Sequence, residues 1–233
     1  MTLDSAAEAA DAALAVPVWD LPIRLFHWGL VALIGFSWWS AEYEQFKWHR
    51  WSGFAILFGL SFRILWGFLG SSTARFTSFV RGPRAVLRYL GRTGEPTAIG
   101  HTPLGALSVV ALLSLVVAQV TFGLLLINED GDWSGPLNQF VGFETGEIAR
   151  ELHGILFWVL LGFIVLHVAA ILFYRLVLRE GLVRAMVDGR AIRPSGTAPM
   201  VAAGPGRLAI CLVIAGALTA WIALGAPPFG QPG

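Results

Sequence analysis

The chain has 233 residues, 56% of them hydrophobic and only 13% charged, with a mean hydropathy of +0.68. That apolar excess excludes an ordinary soluble domain and puts a polytopic membrane protein first. The net charge of +1 carries little because the charges are segregated along the chain, and the single cysteine, Cys211, excludes a disulfide framework, a thiolate cluster and covalent cofactor attachment through a Cys-x-x-Cys-His motif.

Residues 1–17 lack the basic start and apolar core of a signal peptide and read as a short, acidic, mobile tail. After VWDLPIRLFHW the first expected span is Ile23–Trp39, with His27 in its first turns and Trp19, Trp38 and Trp39 near the interfaces, where indoles prefer to sit. A second span, His49–Leu69, follows a short connection and carries Arg63 fourteen residues after His49, on the same helical face. The next connection is basic, with Arg75, Arg81, Arg84, Arg88 and Arg92 against Glu95, and its GPRAVLRYLG stretch predicts a short amphipathic helix on the membrane surface. The third span, Leu104–Ile127, enters through His101-Thr102-Pro103. An acidic loop leads to the fourth span, Leu152–Val177, which is followed by Arg175, Arg179, Arg184, Arg190 and Arg193. A Gly-, Pro-, Ser- and Ala-rich linker, residues 189–206, precedes a fifth apolar run, Leu208–Leu224, within a segment 207–226. That run is long enough to cross, and no polar face marks it as a surface-lying helix.

Two histidines, His153 and His167, lie fourteen residues apart in the fourth span. In a helix they fall within about 40° of one face and about 21 Å apart along the axis. Ionisable groups at membrane depth are expensive and normally face the bundle interior, where they have a function. The plain alternative is two packed histidines bonded to nearby backbone.

The arginines orient the chain. Basic segments after spans two and four, against an acidic loop between spans three and four, put the N-terminus in the cytoplasm and, with five spans, the C-terminus outside. Alternating span direction then sorts four histidines into two layers, His49 with His153 outside and His27 with His167 inside. Two bis-imidazole sites in a four-helix bundle suit two non-covalent b-type haems. Met1, Met186 and Met200 all lie outside the first four spans, which leaves no methionine for axial ligation. A zinc site needs about four ligands in one sphere, and two layers of two do not supply them. A proton relay would need Asp or Glu within the spans. Arg63, with no acid in spans one to four, is expected to pair with a propionate of the inner haem; snorkelling to the cytoplasmic interface is the alternative. His101 reads as interfacial.

Four segments, VWDLPIRLFHW, WHRWSG with FRILWGF, GHTPLG, and ELHG with LHVAAILFYRL and REGLVRAMVDGR, together resemble the bacterial cytochrome b561 family, which includes the b-type cytochrome subunit of nickel–iron hydrogenases. The resemblance spans roughly Val18 to Arg190. It implies an all-α, integral membrane four-helix core over residues 18–188 that binds two haems b, with His27, His49, His153 and His167 on the family's ligand positions. It also implies electron exchange between a quinone pool and a soluble or peripheral redox protein, such as a c-type cytochrome or a dehydrogenase- or hydrogenase-like subunit. The fifth helix is a departure from that core and is expected to dock another subunit. The expected place is the bacterial inner membrane, with the lipid bilayer and no nucleic acid as partner, as a subunit of an oxidoreductase complex more than a stand-alone enzyme. Some family members oxidise superoxide and pass the electron to quinone, so a superoxide:quinone oxidoreductase is the alternative.

Overall fold

The computed structural model describes residues 13–80, 82, 84, 99–128 and 133–227. Five helices among them are long and apolar enough to cross a membrane: α1 (Leu21–Glu42), α2 (Phe46–Leu69), α3 (Pro103–Leu125), α4 (Phe143–Leu176) and α5 (Pro205–Ala223). Each matches an expected span with shifted ends. The surface helix expected in GPRAVLRYLG lies mostly outside the described residues, as do Glu129, Asp130 and Asp132 of the acidic loop.

Local chemistry sets the helix starts. Asp20 caps α1, its Oδ1 accepting the backbone N–H of Ile23 at 2.9 Å, with Pro22 in the first turn where a missing N–H costs nothing. Thr102 does the same for α3: its Oγ1 accepts from Gly105 N–H at 3.0 Å, and Pro103 opens the helix. α4 begins nine residues before the expected Leu152, at Phe143. The extra turns, FETGEIAR, are polar, so hydropathy ends where the helix does not. At 34 residues α4 is about 51 Å long, well beyond a hydrocarbon core of about 30 Å. Gly146 in this extension lies against Ile127, where a Cβ would run into the Ile127 side chain, and its carbonyl accepts the Ile127 N–H at 3.1 Å.

The chain divides into two compact units. The first comprises the described residues of Met1–Leu25, Trp66–Val109 and Leu166–Leu208; the second, Phe26–Leu65, Val110–Val165 and those from Ala209 onward.

In the first unit the end of the expected tail and the start of the expected linker meet as two strands. Ala13–Pro17 forms a strand, β1, paired antiparallel with β2 (Arg190–Pro194), in a register running from Ala13↔Pro194 to Pro17↔Arg190. Backbone donors beyond the ladder continue the closure: Val18 and Trp19 N–H both reach the carbonyl of Gly189 at 2.8 and 3.1 Å, and Met200 N–H reaches Pro17 O at 3.0 Å. Gly189 sits at φ +83° just after the short helix Leu182–Asp188, and a Cβ there would stand 2.7 Å from Trp19 O, so only glycine fits both demands. Thr73 Oγ1 donates to Val18 O at 2.7 Å, and Ser72 and Val201 exchange two bonds of 3.0 Å.

In the second unit the core is Ile56 and Leu60 of α2, Val116 of α3 and Leu160 of α4, with Leu30, Leu33 and Ile34 of α1 packed against it. α2 is the most enclosed helix, 44% of its apolar window being buried against 6–11% for the other four, whose outer faces are left for lipid. α5 buries the small residues Cys211 and Ala215, four apart, and brings Gly216 against Phe58 of α2. Small side chains on one face are how helices approach closely in lipid. Beyond its end, Gln139 Nε2 donates to Gly225 O at 2.7 Å.

Candidate functional site

His49 stands in the first turn of α2 and His153 in the third turn of α4, both in the second unit. Their ring centres are 5.9 Å apart and their planes 88° apart. His49 Nδ1 is 2.9 Å from the carbonyl of Ser37 and 3.2 Å from its hydroxyl; His153 Nδ1 is 2.9 Å from the carbonyl of Gln119. A backbone carbonyl only accepts, so Nδ1 of each ring carries the proton and donates it. Nε2 is then the lone-pair nitrogen of each imidazole, which is the state in which histidine binds a metal.

Both rings line a cavity of about 390 Å³. Most of its wall is apolar, with Ser37, Gln119 and Arg50 among the polar groups. Gly53 and Gly154 also line it, and a Cβ on either would meet nothing within 4 Å, so both present bare backbone to the space. A few hundred Å³, apolar, with a few directed polar groups, is the range of cofactor sites. Two imidazoles bound through Nε2 to one iron stand roughly 6 Å apart centre to centre, about 2 Å for each metal–nitrogen bond and about 1 Å more to each ring centre. The observed 5.9 Å fits a haem iron between them. No group of three or more His, Cys, Asp or Glu placed to hold a metal ion occurs among the described residues.

The other expected residues are distributed as follows. His27, on α1 in the second unit, has its ring 5.0 Å from that of Trp28 and perpendicular to it. Arg63, also in the second unit, is only 4% exposed. His167 belongs to the first unit, where its Nδ1 lies 3.2 Å from the hydroxyl of Ser108. His101, in the first unit, packs between Trp19 and Phe79 at 4.6 and 4.3 Å. The structure thus brings His49 and His153 together, while His27 and His167 stand in different compact units.

Sequence reasoning missed the groups that hold these rings. Ser37, Ser108 and Gln119 are polar residues inside apolar runs, and that was the signal available for them. Asp20 was missed as well; the signal there was an acid two residues before a proline at a helix start.

A family model described as prokaryotic cytochrome b561 matches residues 18–189 of the chain. The comparison with curated proteins and that with solved structures each gave no match.

Proposed function

The chain belongs to the prokaryotic cytochrome b561 family of membrane b-type cytochromes, and we propose that it carries electrons across the bilayer between a quinone pool and a redox partner protein through two haems b. The observation that carries this reading is the His49–His153 pair, 5.9 Å apart on a shared cavity with both Nδ1 atoms tied to carbonyls. Haem b, when bound, supplies a one-electron iron couple. The chain's own residues do the rest. Nε2 of His49 and of His153 would hold an outer haem, with the Ser37 and Gln119 carbonyls fixing the rings and raising their basicity. The apolar wall keeps water out and lowers the local dielectric.

His27 and His167 are the donors of an inner haem in this proposal. The hydroxyl of Ser108, 3.2 Å from His167 Nδ1, would orient that ring by accepting the Nδ1 proton. Arg63, buried in α2, is the residue we assign to an inner propionate, which a guanidinium binds through charge-assisted hydrogen bonds. Arg75, Arg175, Arg179, Arg184, Arg190 and Arg193 all fall in the first unit, which supports assigning that unit to the cytoplasmic side of the inner membrane. α5 follows the matched residues and is the element we assign to docking a partner subunit.

A pyridine-haem assay with a reduced-minus-oxidised spectrum on the purified protein tests the proposal. Two haems b per chain are expected; one or none overturns the two-layer scheme. Rapid reduction by superoxide with no partner present would shift the reading to a superoxide:quinone oxidoreductase.

A further inference from the structure

α3 contributes no histidine to the outer pair, yet it makes two contacts with the His153 ring four residues apart. The carbonyl of Gln119 takes the Nδ1 proton at 2.9 Å. One turn on, Gly123 leaves the space the ring occupies: a Cβ there would stand 2.9 Å from His153 Cε1 and 3.2 Å from Nδ1. Real side chains essentially never come so close, so any residue but glycine must push the imidazole off the helix. Both residues line the cavity, and Gln119 Oε1 is buried with no hydrogen-bond partner among the described residues.

We propose that the Gln119–Gly123 turn of α3 is a positioning seat for His153, in which Gly123 sets the plane and the hydrogen-bond length of the ring and so tunes the outer haem. The inference rests on His153 being an axial ligand, as proposed above. The physical consequence has two parts. The His49 and His153 planes are already 88° apart, so any rotation of one ring about its bond to the metal moves the pair toward parallel. Pushing the ring away from α3 also lengthens the bond to Gln119 O, which makes the imidazole a poorer donor and destabilises the ferric state relative to the ferrous.

The test compares full-length wild type, Gly123→Ala and Gly162→Ala as purified holoprotein. Gly162 is an exposed glycine of α4 with nothing within 4 Å of a built Cβ, so it controls for a methyl added to a span. Low-temperature EPR of the ferric protein and a potentiometric titration are the readouts. For Gly123→Ala the lowest-field g value of one haem should fall and its midpoint potential rise, while the other haem keeps its wild-type signal. Gly162→Ala should match wild type. Unchanged EPR and potential in Gly123→Ala overturn the seat. Equal disturbance of both haems overturns it too, since that is a packing effect and not a local one. His153→Ala separates the two levels: if it retains both haems, the ligand assignment itself fails, whereas loss of one haem with a silent Gly123→Ala defeats only the seat.

Discussion

Trp66 Nε1 donates to Oδ2 of Asp20 at 2.9 Å, while Oδ1 of the same carboxylate accepts the N–H of Ile23 at 2.9 Å. One side chain thereby starts α1 and holds an indole near the end of α2 that is only 2% exposed. Both residues sit in the first unit, within two of the motifs that mark the family resemblance.

Asp20→Leu should therefore cost more than a helix cap. The lost cap is worth about 1 kcal/mol, and a buried indole N–H left without an acceptor adds about 1–2 kcal/mol. Thermal unfolding of the detergent-solubilised protein should show a clear drop in midpoint, with Asp20→Asn intermediate because its amide oxygen serves only one of the two donors. A Leu variant as stable as wild type would show that neither bond matters.

The layer assignment predicts how haems are lost. His49→Ala and His153→Ala should remove one and the same haem, and His27→Ala and His167→Ala the other. His101→Ala should keep both, because that ring packs between Trp19 and Phe79 in place of facing a second histidine. Spectra of the five variants check this; losses that pair His27 with His153 would force the ligand set to be redrawn.

Arg63→Leu should retain the inner haem and lower its midpoint potential. An uncompensated propionate favours the oxidised, more positive iron, by on the order of 1–2 kcal/mol at an effective dielectric of about 20, which is several tens of mV for one electron. A redox titration reads it directly, and unchanged potentials for both haems would mean the guanidinium serves something else.

Much of this architecture was legible as hydropathy. Five apolar runs became five helices because a bilayer rewards nothing else of that length. The nearness of His49 and His153 was legible too, since alternating span direction puts the start of α2 and the early turns of α4 at one level. Ser37, Gln119 and Gly123 were not. Each is visible as a polar or small residue in a span, but which neighbour it faces depends on helix rotation and register, which hydropathy does not encode. The strand Ala13–Pro17 was hidden for another reason: ALAVP has no polar alternation, and its partner lies across four spans of sequence.

The turn after Leu182–Asp188 carries a pH dependence. The Asp188 carboxyl is held below the usual carboxylate range, first by the backbone N–H of Arg190 at 3.0 Å and then by Arg184 at 3.1 Å. A lowered folded pKa means the contribution is fully present above the unfolded value near 4 and is lost as pH falls through the folded one. Hydrogen exchange at Arg190 and along β2 should be indifferent between pH 6 and 8 and accelerate below about pH 4 beyond the intrinsic rate, an acceleration absent in Asp188→Asn.

The ladder between β1 and β2 pairs Pro17 with Arg190, so it clasps the two ends of the family-matched stretch, residues 18–189, against each other. The four-helix core is thus nearly a ring in chain terms, with α5 trailing from its clasp. In a variant cut after Pro194, and so lacking α5, a short peptide from Pro194 back to Ala13 would close that ring, since the two are ladder partners, and the chain could then be opened at a different connection. The order in which the helices leave the ribosome is in that sense separable from the arrangement they reach.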